Sequence, residues 1–309
     1  MKRLIRTAVV VLSAAFTLSA CGGGDPLTSA SPGPADPGSA SAPAPAPGGK
    51  VVVGSANFPE NVLLAEIYAQ ALEAKGVQVE KKLNIGSREV LYDQVKGGGL
   101  TVLPEYVGSL LAYVDKTSTA RTKDDVVAAL KEKLPAELEI LSPAAAEDNN
   151  SLTVTRATAE KEGLATIEDL AKVAKGYAVG GPPEFQSRQE QNFKDVYGLE
   201  FKEWKKTGAA TADAIKDGTV QVGNVFTTDP KIVLNDLVSL KDTKSAFAAE
   251  NITPLVNKAG VDDTVRTALD AVSAKLDTAG LVALMKRVAV DKDDAAVVAK
   301  DWLMQNGLV

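Results

Sequence analysis

Short β-branched runs and helically spaced apolar stretches alternate along most of the chain. Lys50, Val51, Val52 and Val53 run into Gly54, a pattern that predicts a buried strand closed by glycine. Over 59–75 the apolar residues Val62, Leu63, Ile67 and Leu72 recur at helical spacing, and Gly76 follows as a stop. Residues 77–79 and 102–103 read as strands, and 87–95, 106–114 and 122–134 as helices, the last with Asp124 and Asp125 in its first turn. A second series follows, with strands at 152–155, 177–180 and 220–225 and helices at 166–173, 186–196 and 209–217. Thr166 stands where a helix cap is expected. The tail over 261–303 is helical in pattern almost throughout.

Alternating strands and helices predict an α/β fold with largely parallel pairing. Two such series, with late segments returning to the first half, predict two lobes with a cleft between them. The expected division is 50–150 plus 249–309 for the first lobe and 151–248 for the second.

The first 49 residues follow different rules. Residues 1–20 carry Lys2, Arg3 and Arg6 ahead of an apolar run too short to span a bilayer comfortably, the layout of a secretory signal peptide. The run ends Leu18-Ser19-Ala20-Cys21-Gly22, which resembles the lipobox of bacterial lipoproteins. That resemblance implies lipid on Cys21 and an extracytoplasmic protein anchored to the cell membrane. Residues 21–49 are the lipidated cysteine and a Gly, Pro, Ser and Ala linker that cannot bury a core, a disordered spacer and not a domain.

Composition removes much of enzymology. The 309 residues include no histidine and a single cysteine, which excludes Ser-His-Asp and Cys-His catalysis, His-ligated metals, disulfides and cysteine-ligated clusters. Lys plus Arg is 34 against 40 Asp plus Glu, a formal net charge of −6 without a basic block, so no nucleic-acid partner is expected. Glu60, Glu105 and Glu184 offer carboxylates for acid–base work, yet no nucleophile–base pair accompanies them, and the chain is not expected to be an enzyme. No metal and no cofactor is expected.

Three polar segments each follow a short apolar run, near a strand's carboxyl end where α/β sheets bind ligands. They are Gly54-Ser55-Ala56-Asn57-Phe58-Pro59-Glu60-Asn61, Leu103-Pro104-Glu105-Tyr106-Val107-Gly108-Ser109, and Val225-Phe226-Thr227-Thr228-Asp229-Pro230. With Leu63-Ala65-Glu66-Ile67-Tyr68, Gly86 through Leu91, Pro183-Glu184-Phe185 with Arg188, Tyr197-Gly198-Leu199, Leu237-Val238 and Leu240-Asp242-Lys244, they resemble the substrate-binding proteins of osmoprotectant ABC importers of the glycine betaine, carnitine and choline type. The resemblance spans some 200 residues. It implies a two-lobed, periplasmic-binding-protein-like (type II) fold whose cleft cages a quaternary ammonium solute with aromatic faces. A methylated cation cannot donate hydrogen bonds, so π faces compensate its desolvation.

Carried over by position, Tyr106 is one cage wall, Ser109 stands at the ligand's polar end, Asn57 lies in the first binding loop and Phe226 takes another aromatic position. Arg188 is the implied carboxylate partner, unless it pairs with Glu184 four residues earlier on the same helical face. Family members often read Asn-Thr-Tyr-Ala where this chain has Asn149-Asn150-Ser151-Leu152, so a cage tyrosine is here Ser151. Trp204 is the nearest aromatic for a fourth wall. Asp229 reads as a turn or cap residue, and Tyr92 and Tyr113 as helix packing. The resemblance further implies a permease and its cytoplasmic ATPase as partners, both separate proteins because the chain has no Walker motif and no span after the signal. The binding protein itself is expected to be a monomer. The alternatives are a more polar solute in the same fold, or a ligand sensor instead of an importer subunit.

Overall fold

The computed structural model describes residues 49–309. The signal segment, Cys21 and the linker up to residue 48 lie outside the described residues. The first lobe opens with β1 (Val51–Gly54), α1 (Pro59–Glu73), β2 (Val79–Lys82), α2 (Arg88–Lys96), β3 (Val102–Tyr106), α3 (Val107–Val114), α4 (Lys123–Lys133) and β4 (Leu138–Ile140). The second comprises β5 (Asn150–Thr155), α5 (Arg156–Glu162), α6 (Ile167–Ala171), β6 (Ala178–Gly181), α7 (Phe185–Tyr197), β7 (Glu203–Lys206), α8 (Thr211–Lys216), β8 (Val222–Phe226), α9 (Lys231–Leu234) and β9 (Leu237–Ser239). The chain then returns through β10 (Ile252–Asn257) to α10 (Asp263–Ser273), α11 (Thr278–Met285) and α12 (Ala295–Gln305). Among the described residues no helix is long and apolar enough to cross a membrane.

Each lobe has its own five-stranded sheet, in the orders β2-β1-β3-β10-β4 and β7-β6-β8-β5-β9. The strands of the βα units are parallel, β1 with β2 and β3, and β6 with β7 and β8. The pairings of β10 and β5 are antiparallel. The expectation of largely parallel sheets is therefore corrected to an even mixture. β5 and β10 enter their sheets from the other lobe through extended connections, so no helical crossover forces them parallel.

Local chemistry explains the elements that place the site. β1 is β-branched and buried, and a Cβ at Gly54 would meet Leu100 Cδ1 at 2.6 Å, so only glycine lets β1 run beside that side chain. α1 starts with Pro59, whose missing N–H costs nothing in a first turn. It is buried on most of its surface because it packs against β1 on one side and α10 and α12 on the other. β3 runs to Tyr106, three residues beyond the predicted strand, and α3 begins only at Val107. Pro104 lies opposite Pro254 of β10. Neither can donate, so this is a position in the antiparallel ladder where the paired residues exchange no hydrogen bond. Their carbonyls turn outward instead: Pro104 accepts from Asn61 Nδ2 at 3.0 Å and Pro254 from the Leu141 amide at 2.9 Å.

The second lobe packs around aromatics from α7 and β7, with Phe193 T-shaped on Phe247 at 5.4 Å. Two connections join the lobes and run side by side. Asp148 N donates to the Glu250 carbonyl at 3.2 Å, Ile252 N to Ala146 at 3.0 Å, and Glu147 bridges Asn251. Paired extended crossings of this kind are where a hinge between two lobes is commonly placed.

Candidate ligand-binding site

The first recognition segment is fixed before any side chain faces a ligand. Asn61 accepts the Ala56 amide at 2.8 Å through Oδ1 while Nδ2 holds the Pro104 carbonyl, tying the turn after β1 to β3. Glu60, in the first turn of α1, and Tyr106, at the end of β3, are thereby brought together. The Tyr106 hydroxyl donates to Glu60 Oε1 at 2.7 Å, and its ring lies 6.3 Å from that of Phe58, tilted by 30°.

The second lobe reaches this point through the turn after β8. Thr227 Oγ1 accepts from the Asn149 amide at 2.9 Å and donates to the Glu147 carbonyl at 2.7 Å, and the Thr227 amide donates to the Asn149 carbonyl at 2.9 Å. Thr228 Oγ1 donates to Asp148 Oδ1 at 2.6 Å. Two buried contacts thus lie at the seam, Tyr106 with Glu60 on the first lobe and Thr228 with Asp148 on the second, near enough for the charge of Glu60 to act on Asp148. Glu60, Tyr106, Asp148 and Thr228 are 4, 0, 5 and 5% exposed.

Charge is costly at this depth. Burial raises the Glu60 carboxyl above its ordinary range, against the opposing hydrogen bond from Tyr106. Asp148 is pushed well up, first by burial and then by the charge of Glu60. Tyr106 is held well above the usual phenol value, chiefly by burial and then by Glu60.

The sequence-named residues fall into two groups. Tyr106 is at the seam, Asn57 lies beside Phe58 in the bound turn, and Phe226 ends β8 opposite Asn150, two residues before Thr228. The others have partners elsewhere. Ser109 donates to Glu250 Oε1 at 2.6 Å, and its amide to Oε2 at 2.9 Å. Ser151 is buried in β5, donating to the Val225 carbonyl at 2.8 Å and contacting Thr153 and Ser239 hydroxyls. Trp204 is packed at 5.6 Å from Phe185, 5.4 Å from Phe201 and 6.5 Å from Phe193. Arg188 Nη1 lies 3.8 Å from Glu184 across one turn of α7. Asp229 accepts the Lys231 amide at 2.8 Å, a turn role, and Tyr92 stacks edge-on with Tyr113 at 5.1 Å. Of the carboxylates weighed for catalysis, Glu105 is fully buried against Arg88 and Glu184 is the surface partner of Arg188.

Asp148 and Thr228 were not singled out by residue type. Asp148 stands in a polar stretch that reads as a surface link, and only the tertiary meeting of both crossings buries it. The signal that was present is the Thr-Thr-Asp turn after β8, whose second threonine makes the contact.

A family model for the substrate-binding domain of ABC-type glycine betaine transport systems matches residues 49–305. The chain belongs to that family of transport substrate-binding domains. It is 28% identical over 276 residues to the glycine betaine-binding protein YehZ of Escherichia coli strain K12, covering 83% of this chain and 90% of that protein. It is equally identical, over the same length, to a glycine-betaine-binding protein of Pseudomonas aeruginosa, of which 88% is covered. Among solved structures, apo YehZ superposes with a TM-score of 0.75 at 25% identity, covering 84% of this chain and 99% of that one. A glycine betaine/carnitine/choline ABC transporter structure gives 0.78 at 19% identity with the same coverage, a likeness of two-lobed fold.

Proposed function

We propose that the protein is the extracytoplasmic solute receptor of an ABC importer, closing its two lobes on a small quaternary ammonium solute and presenting it to a permease coupled to a cytoplasmic ATPase. The observation that carries this reading is the convergence of two aromatic rings and two buried carboxylates at the seam. Tyr106 and Phe58 supply π surface, and Glu60 and Asp148 supply counter-charge. Such a pairing suits a cation that has no hydrogen to donate. Asn57 and Phe226 complete the proposed contact set from either side. Arg188 enters only if closure frees it from Glu184. The proposed anchor is lipid on Cys21, the linker acts as tether, and the receptor works as a monomer.

Calorimetric titration with glycine betaine, choline, carnitine and proline betaine tests the reading. At least one of them binds, and Tyr106→Ala weakens that binding roughly tenfold or more, in keeping with loss of a desolvated cation–π contact worth about 1–2 kcal/mol. Tyr106→Phe, which keeps the ring, loses much less. Equal losses from both variants would assign the contact to the hydroxyl and remove the cation–π argument.

A further inference from the structure

We propose that closure of the lobes bends at two single residues, Glu147 on the first crossing and Ala248 on the second, and that the Thr227 hydroxyl confines the bend there, a positioning residue for solute capture. The inference deepens the reading above, in which the lobes close on a solute, and rests on it only for the affinity arm of its test.

Hydrogen bonds divide each crossing between the lobes. On the first, Ala146 N donates to the Leu276 carbonyl at 3.0 Å and Glu147 N to Thr278 Oγ1 at 3.1 Å, both in the first lobe. One residue later the partners change. Asp148 Oδ1 accepts from Thr228 Oγ1, and Asn149 exchanges two backbone bonds with Thr227, its amide meeting Oγ1 and its carbonyl the Thr227 amide, all in the second lobe. On the second crossing Ala246 N and Phe247 N donate to the Asp242 carboxylate at 3.0 and 2.8 Å, and Phe247 lies in the core of the second lobe. Ala249 N then donates to the Arg121 carbonyl at 2.8 Å and Glu250 accepts from Ser109, so the chain there belongs to the first lobe. The Ala249 carbonyl is so close to α3 that a Cβ on Gly108 would lie 2.5 Å from it. Ala248 stands between the two anchorages.

The Glu147–Asp148 peptide lies at the changeover, and the lobes hold its two ends. Its carbonyl accepts from Thr227 Oγ1 at 2.7 Å, and its N–H donates to the Glu250 carbonyl at 3.2 Å. The first distance is ordinary for a hydroxyl donor, and the second is at the long end for an amide. Rotation between the lobes gives up the longer bond, so the peptide travels with the second lobe and the bend falls on Glu147. Thr227 also closes off Asp148 as an alternative pivot. One oxygen that donates to the Glu147 carbonyl and accepts from the Asn149 amide brackets Asp148 on both sides and fixes its φ and ψ. Hinges are a few residues that absorb large changes in φ and ψ, and this hydroxyl keeps them to one on this crossing.

The test compares the full chain with Thr227→Ser, which keeps the hydroxyl, and Thr227→Val, which keeps the branched shape without it. Small-angle X-ray scattering reads the spread of the lobes without solute. Freeing Asp148 widens the range of inter-lobe angles, so Thr227→Val should have the larger radius of gyration and Thr227→Ser that of the parent. Hydrogen exchange in Thr227→Val should quicken about tenfold or more over 147–149 and stay unchanged in the core strands of both sheets. Ala248→Gly removes no side-chain hydrogen bond, loosens the other pivot and should enlarge the protein in the same way, which keeps the proposal falsifiable if Thr227→Val fails to fold. In calorimetric titrations of Thr227→Val, choline and glycine betaine should lose affinity by one common factor, about three- to tenfold, because a smaller fraction of the protein holds the closing geometry. Unchanged scattering in Thr227→Val overturns the role of Thr227, and in Ala248→Gly it overturns the second pivot. Exchange that quickens throughout the second lobe overturns both. Unequal losses for the two solutes make Thr227 a solute contact and overturn the positioning role. If neither solute binds the folded parent, the reading of the site fails, while scattering and exchange still decide the hinge.

Discussion

Arg88→Met is expected to cost about 3–5 kcal/mol of stability, because it strands a carboxylate in the core of the first lobe. Arg88 and Glu105 have side chains only 2 and 0% exposed and meet in a two-pronged contact, Nε to Oε1 and Nη2 to Oε2, each 2.9 Å. Glu105 Oε2 also accepts the Tyr106 amide at 3.0 Å, so the pair fixes the backbone that carries the proposed cage wall. Removing one ion leaves the other unpaired where water cannot reach it. Thermal or urea unfolding should register the loss, on the order of 10 °C in melting temperature. Arg88→Lys should recover part but not all, since an ammonium cannot reproduce the planar fork. The double variant Arg88→Met/Glu105→Gln should be far less damaged than Arg88→Met alone, because no charge is then abandoned. A single variant as stable as the parent would mean that Glu105 takes a proton or finds water at little cost.

Arg88 also shows how the sequence could be read and where reading stopped. The Gly-Ser-Arg-Glu run was legible as a motif, yet nothing in its spacing indicates that the arginine turns inward across sixteen intervening residues to Glu105. β1 and α1 were legible because burial follows a period, Val51 and Val53 inward on the strand and Leu63, Ile67 and Leu72 on the helix. β2 and β7 are edge strands reading Val-Glu-Lys-Lys and Glu-Trp-Lys-Lys. Edge strands carry charge against stray pairing, and that charge hid most of the first and all of the second. β10 is buried along its whole length, but Pro254 at its centre argues against a strand until Pro104 is found opposite.

The same division holds at the seam. Tyr106 and the turn after β1 were legible because they sit in contiguous motifs at strand ends. Trp204 looked available as a cage wall because it was the nearest aromatic along the chain. In space it meets Phe185, Phe193 and Phe201, which come from a helix and a loop of the same lobe. Glu60 was visible as a carboxylate but not as half of a pair, since Asp148 lies 88 positions away and reaches it only through the hinge. Pairings between lobes leave no periodic trace.

The hinge holds a third buried acid, and it should give the protein an inverted stability profile. Glu250 accepts both the amide and the hydroxyl of Ser109, and a Cβ on neighbouring Gly108 would lie 2.5 Å from the Ala249 carbonyl, so β3–α3 and the second crossing are in tight contact there. Burial pushes the Glu250 carboxyl up to about 7 from an ordinary 4.5, against the lowering effect of the Ser109 bonds and Arg88. The folded state therefore holds this proton more tightly than the unfolded chain does. Stability from that proton is complete below about pH 4.5 and is lost as the pH rises through 7, about 3 kcal/mol in all for a shift of this size. Glu60 and Asp148 act in the same direction. The protein should accordingly melt at a higher temperature near pH 5.5 than at pH 8. Glu250→Gln keeps an acceptor for Ser109 and has no proton to lose, so its melting temperature should fall less over that interval and exceed the parent's at pH 8. An unchanged slope in the variant would place the pH dependence on Glu60 and Asp148 alone.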